Sequence, residues 1–212
     1  MRHRRLGGML LRQVAQDLAA GKIVGWFQGR FEIGPRALGN RSILADPRRA
    51  EMRQVLNDKV KRREAFRPFA PAVLIERAGE FFELEQPDPF MTLAPRVRPD
   101  KQEAIAAAVH VDGTGRVQTV TRADNPLFYG LIEEFGRLTG VPVLLNTSFN
   151  QREPIVASPE EAIACYLRSG IDVLVLGDFY TLDRGSGGGA VKKALQPARS
   201  AQPAPALAAK AP

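Results

Sequence analysis

The sequence predicts a single α/β (α+β) domain, and three observations carry that prediction. Short apolar runs suited to strands alternate with segments whose apolar residues recur at helical spacing. The 212 residues are 44% hydrophobic and 25% charged, an ordinary composition for a globular chain with one substantial core. The apolar run Val141–Leu145 stops at Asn146, which suggests a central strand delivering a polar loop at its carboxyl end.

Each element follows from a local pattern. Leu10, Leu11, Val14 and Leu18 share one helical face over 9–20, and Gly21 ends it. A strand is expected over 23–27, and the Gly- and Pro-rich stretch from Gly29 to Gly39 reads as a loop. A helix over 49–61 and a strand over 70–75 follow, then an exposed Pro-rich connection over 86–100. A short strand over 117–120 precedes a helix over 125–139 that Gly140 closes. After the central strand comes a polar loop, Asn146–Asn150. Ser158 then caps a helix over 159–169, with Pro159 at its first position and Glu160 and Glu161 in its first turn. A last strand is expected over 173–176. Beyond Leu182 the chain is Gly, Ser, Ala, Pro and Lys without periodicity, so the expected organisation is a basic lead 1–8, a domain 9–183 and a disordered low-complexity tail 184–212.

The net charge of +7 sits at the ends, since residues 1–5 carry +3 and 183–212 carry +4, leaving 6–182 neutral. Within that neutral body, residues 30–67 hold eleven Lys/Arg against five Asp/Glu, a local balance of +6 that suggests a pocket and argues against specific nucleic-acid binding. A single Cys165, in the apolar run AIACYL, suits a buried structural thiol in a reducing cytoplasm, and no CxxC pair or His cluster offers a metal framework. No run reaches the roughly 18 apolar residues of a membrane helix, and the basic N-terminus lacks a signal peptide's apolar core. A cytoplasmic protein without a membrane partner is expected.

Four segments hold candidate chemistry. Gly34-Pro35-Arg36-Ala37-Leu38-Gly39-Asn40-Arg41-Ser42 can aim backbone N–H groups and the forks of Arg36 and Arg41 at one anion, with Ser42 beside them. Equally, it could be a Gly/Pro turn with solvated arginines. Lys61 to Pro71 brings Lys61, Arg63 and Arg67 next to Phe66 and Phe69, which could pack against a ligand or, more plainly, flank a core strand. Asn146, Thr147, Ser148 and Asn150 are hydrogen-bonding side chains after a buried strand, able to hold phosphate, ribose or an amide, or to satisfy their own turn. Near His110, the only His of the body, Arg116 is the better candidate as an anion contact; too few ligands gather there for a metal.

Taken together and in order, GWFQGRFEIGPRALGNRSILADPR, KRREAFRPFAP, HVDGTGRVQTV and VPVLLNTSFN resemble the C-terminal domain of the NodU/CmcH-type O-carbamoyltransferases, over about Met9 to Leu182. The resemblance implies a YrdC-like fold, a twisted mixed sheet flanked by helices, and formation of carbamoyl adenylate from carbamoyl phosphate and ATP with Mg²⁺. It implies Arg36, Arg41, Lys61 and Arg67 as catalytic contacts. Gln28, Gly29, Ser42, Arg63, Arg116, Asn146, Thr147, Ser148 and Asn150 would bind substrate and nucleotide, Ser42 among the phosphate and carbamoyl contacts and Asn146, Ser148 and Asn150 on the nucleotide side, with metal ligands unidentified. The family's large N-terminal domain of actin and sugar-kinase type is not in this sequence, so the expected transfer to an acceptor needs a separate domain. A local departure is Asn150-Gln151-Arg152-Glu153-Pro154, where the family has a Gly before the Glu-Pro pair. Two other readings are a non-catalytic nucleotide- or anion-binding subunit and an RNA-binding YrdC-like module.

Overall fold

A computed structural model describes residues 1–184. Its eight strands form one mixed sheet in the order β1-β8-β7-β2-β3-β6-β4-β5. They are β1 (Arg4–Arg5), β2 (Val24–Phe27), β3 (Arg41–Ala45), β4 (Ala70–Leu74), β5 (Gln118–Val120), β6 (Val143–Ser148), β7 (Val173–Leu176) and β8 (Phe179–Thr181). β2 runs parallel to β7 and β4 parallel to β5, while the other neighbours are antiparallel.

Strand alternation divides the core in two. Ile43 and Ala45 of β3, Val143 and Leu145 of β6 and Leu174 of β7 join one cluster; the intervening Leu44, Leu144, Val173 and Val175 join the other. Two apolar faces need two covering layers. α1 (Leu10–Ala19) and α4 (Pro126–Thr139) pack together over one face. α5 (Pro159–Arg168) covers the other, with α2 (Met52–Val55) and the π-helical turn Leu56–Lys61 that continues it. The small α3 (Ala78–Phe81) adds Phe81 to that second cluster. Fully burying each such aliphatic side chain contributes about 1.5–3 kcal/mol.

Helix ends follow the capping rules. The Asn125 side chain accepts from the Phe128 N–H at the start of α4, and Gly140 closes that helix at φ 79°. At α5, Ser158 and Glu161 cap each other's backbone N–H groups in a reciprocal box.

Several sequence expectations need correction. Asn146–Ser148 are not loop: they complete β6, and Asn146 pairs with Leu44 on one side and Ala70 on the other. The helix expected over 49–61 begins at Met52, and Arg62 at φ 47° ends its π turn. The connection 86–100 is not wholly exposed, because Asp88, Met91 and Val97 are buried. Its anchor is the Asp88 carboxylate, which accepts from the backbone N–H groups of Phe90, Thr92 and Leu93. β7 is not the last strand, and the basic lead 1–8 joins the domain's sheet: Arg4 pairs with Tyr180 and Arg5 with Phe179. Arg184, placed at the start of the tail, hydrogen-bonds through its guanidinium to the carbonyls of Ser169 and Ile171. The rest of the expected tail, 185–212, lies outside the described residues. Among the described residues no helix is long and apolar enough to cross a membrane.

Candidate anion-binding site

A pocket of about 240 Å³ opens where the end of β6 meets three irregular segments. β6 supplies Asn146, Thr147 and Ser148 as one wall. The loop between β2 and β3 contributes Pro35, Arg36 and Ala37, and the segment entering β4 contributes Arg63, Arg67, Pro68, Phe69 and Ala70. Met91 and Arg116 complete it. The four arginines come from three separate stretches of sequence, so only the fold brings them together.

Their electrostatics favour an anion. Burial lowers the Arg63 pKa, and the positive charges of Arg67 and Arg116 add to the effect. The same holds at Arg116, where burial acts first and Arg36 second. Arginine does not deprotonate under ordinary conditions, so crowded guanidinium groups are relieved by a bound anion. Among the described residues just one of the four has a carboxylate partner: Arg67 pairs with Glu64 at 2.9 Å, and both side chains are more than half exposed, so the bond is weak. Arg63 is pre-aimed, its Nε donating to Asn57 Oδ1 at 2.7 Å while its guanidinium carbon lies 4.8 Å from the Phe69 ring centre. Two buried atoms of pocket residues, Arg116 Nε and Asn146 Oδ1, have no hydrogen-bond partner among the described residues.

Thus Arg36, Arg63, Arg67, Arg116, Asn146, Thr147 and Ser148 are brought to the pocket, whereas Gln28, Gly29, Arg41, Ser42, Lys61 and Asn150 are not among its lining. Arg41 is buried on the Phe27 ring at 3.5 Å and donates to the carbonyls of Gln28, Asn40 and Gly29 at 2.6, 3.0 and 3.2 Å. Its fork holds the loop's own backbone. Ser42 is fully buried and accepts from the Gly39 N–H, and Gln28 donates to the Gly177 carbonyl. Lys61 lies behind the wall, its ammonium spent on Ser148 and Asn150, and burial lowers its pKa to about 7 with Arg63 adding to the shift. Asn150 Nδ2 in turn donates to the Glu153 carbonyl, which fixes the loop at the departure from the family pattern.

Four positions escaped the sequence reading. Glu32 accepts the backbone N–H groups of Leu38, Asn40 and Arg41 through one oxygen and so clamps the loop that carries Arg36. Asn57 orients Arg63, Gln118 bonds to Asn146, and Met91 enters the pocket wall at φ 60°. A lone acid within a Gly/Pro loop was the one available signal, for Glu32.

Other candidates resolve plainly. His110 Nδ1 lies 2.9 Å from Thr114 Oγ1 within its own turn. Cys165 is buried, and burial followed by the charge of Glu153 pushes its thiol up to about 12, a structural environment. Among the described residues no group of three His, Cys, Asp or Glu is placed to hold a metal ion.

The family model described as Carbamoyltransferase C-terminus matches residues 15–182. Nodulation protein NolO of Bradyrhizobium diazoefficiens is 52% identical over 176 residues, covering 80% of this chain and 32% of that protein. The 3'-hydroxymethylcephem-O-carbamoyltransferase of Amycolatopsis lactamdurans is 43% identical over 167 residues, 78% of this chain and 32% of its own. An uncharacterized Synechocystis protein is 47% identical over 191 residues, 80% and 31% of the two chains. The chain therefore spans about a third of the length of the curated relatives it matches. Among solved structures, full-length HypF in its phosphate- and nucleotide-bound form aligns with a TM-score of 0.53 at 21% identity, covering 82% of this chain and 21% of that one. That likeness is one of fold, a mixed α/β sheet flanked by helices.

Proposed function

The chain belongs to the carbamoyltransferase C-terminus family, and from that premise we propose that its arginine pocket binds carbamoyl phosphate and ATP and forms carbamoyl adenylate. The observation that carries this reading is the convergence of Arg36, Arg63, Arg67 and Arg116, with one exposed carboxylate partner among them, on the polar end of β6. Both substrates present phosphate oxygens, which guanidinium forks hold in pairs.

The proposed reaction balances without a protein nucleophile. Water splits carbamoyl phosphate into carbamate and phosphate. A carbamate oxygen then attacks the α-phosphorus of ATP, and the bond from that phosphorus to the bridging oxygen breaks, releasing pyrophosphate. The arginines would hold the phosphates in line and spread the charge that develops, in a site shielded by Pro35, Pro68 and Phe69. Mg²⁺ would enter with the phosphates, with Thr147 and Ser148 oxygens beside it, since among the described residues the pocket lining holds no carboxylate. When bound there it would neutralise phosphate charge.

Among the described residues, those lining the pocket include no Asp, Glu, His or Cys to deprotonate an acceptor hydroxyl. This supports assigning the transfer step to a separate domain of the actin and sugar-kinase type, with this domain as the activating half. Incubating the chain with carbamoyl phosphate, ATP and Mg²⁺ should release pyrophosphate and label the carbamoyl adduct with AMP. If phosphate and ATP bind but no pyrophosphate appears until an acceptor domain is added, the chain is a binding subunit and the catalytic reading fails.

A further inference from the structure

We infer that Asn146 reads the carbamoyl nitrogen, so that the pocket distinguishes a carbamoyl from an acyl group. The inference rests on the proposed substrate and adds a residue and a discrimination to it.

An Asn side chain can present either its oxygen or its nitrogen, so its orientation decides what it reads. Gln118 Nε2 donates to the Leu38 carbonyl at 2.9 Å, which turns Gln118 Oε1 toward Asn146. Asn146 Nδ2 donates to that oxygen at 2.7 Å and to the Ala37 carbonyl at 3.1 Å. Both hydrogens of the Asn146 amide are thereby used, and its orientation is fixed by a relay that starts at a backbone carbonyl. The remaining atom, Oδ1, can only accept. It is inaccessible to solvent and has no partner among the described residues, on a side chain that is 1% exposed yet lines the pocket.

A buried acceptor without a donor is costly, and on a residue that lines a pocket a ligand can supply the missing donor. A ligand that brings an N–H or O–H to Asn146 removes that cost. In the same pocket Arg116 Nε is a buried donor without an acceptor. A carbamoyl group answers both, because one carbon carries a carbonyl oxygen and an NH₂ and sits next to the phosphate that the arginines take. Acetyl phosphate has the same charge and nearly the same shape, but places a methyl where the NH₂ would be, leaving Asn146 Oδ1 unpaired.

The test is calorimetric titration of the full chain with inorganic phosphate, freshly dissolved carbamoyl phosphate, acetyl phosphate and ATP. Carbamoyl phosphate should bind roughly ten- to a hundredfold tighter than acetyl phosphate, the ratio expected when a buried acceptor gains or lacks its donor. Asn146→Ala should bring the two ligands to the same affinity while phosphate still binds, which shows that the pocket is intact. Gln118→Met, which removes the relay but keeps Asn146, should shrink the ratio without shifting the affinity for phosphate. Equal binding of carbamoyl and acetyl phosphate by the unaltered chain overturns the inference and leaves the proposed reaction standing. A selective loss of ATP affinity in Asn146→Ala also overturns it, since the acceptor would then read the nucleotide. If the unaltered chain binds no phosphate compound at all, the proposed function falls and the inference falls with it.

Discussion

The ammonium of Lys61 lies 2.7 Å from Asn150 Oδ1 and 3.0 Å from the Asn150 carbonyl, joining the end of the π turn to the chain just past β6. It also lies 2.7 Å from the Ser148 carbonyl and 3.2 Å from Ser148 Oγ, so one buried cation organises the wall that carries Asn146, Thr147 and Ser148. Its three hydrogens are shared among four oxygens. Lys61 is thus a positioning residue for the site in this geometry.

The pKa of about 7 gives Lys61 a pH signature. The folded value lies below the ordinary lysine value of 10.5, so between about pH 7 and 10.5 the unfolded chain binds more protons than the folded one. Stability from this group therefore rises with pH across that window and is lost as pH falls through 7. Urea unfolding at pH 7, 8 and 9 should show the rise in the unaltered chain and a flatter profile in Lys61→Met.

Arg116→Ala and Arg41→Ala should separate binding from folding. Arg116 lines the pocket with a donor unpaired, so its loss should weaken phosphate binding by about 1.5–3 kcal/mol with little change in melting temperature. Arg41→Ala removes three bonds to loop carbonyls and the stack on Phe27, so melting temperature should fall first and binding only through the loosened loop. Titration and thermal unfolding of both variants check the contrast. Equal losses of affinity at unchanged stability would put Arg41 in the site.

Gly39→Ala should be strongly destabilising. The backbone there has φ +113°, and an added Cβ would come within 2.4 Å of the Phe128 ring and 3.0 Å of Asn125 Nδ2. Strain and overpacking together predict a loss of about 2–4 kcal/mol, measured by denaturant unfolding.

Ser158→Ala should cost about 1 kcal/mol by opening the capping box of α5, measured the same way. Phosphate binding should not change, because α5 supplies no pocket residue.

The helices at 10–19, 126–139 and 159–168 were legible because caps and apolar spacing are local signals. The edge strands Arg4–Arg5 and Phe179–Thr181 were not: two or three residues cannot show alternation, and what forms them is pairing across the whole chain. Asn146 read as loop for a related reason. A polar residue signals a strand's end only when the fold gives it no partners, and here β3 and β4 pair its backbone while Gln118 and Ala37 accept from its side-chain nitrogen. At the site, charge located the right segments but could not separate Arg36, which reaches the pocket, from Arg41, whose fork is taken by carbonyls of its own loop. That difference depends on which face of β3 and its preceding loop each side chain occupies, a property of three-dimensional pairing.

The position of β6 sets where the pocket can move. Asn146 lies in a central strand with β3 on one side and β4 on the other, so its backbone N–H can exchange with deuterated solvent only when the sheet itself comes apart. Arg36 and Arg67 are exposed and lie in irregular segments outside the sheet, where opening needs far less free energy. A ligand would therefore meet a floor that keeps its shape for as long as the molecule stays folded, and a cationic rim whose amides exchange early; slowed exchange on adding phosphate should be confined to that rim.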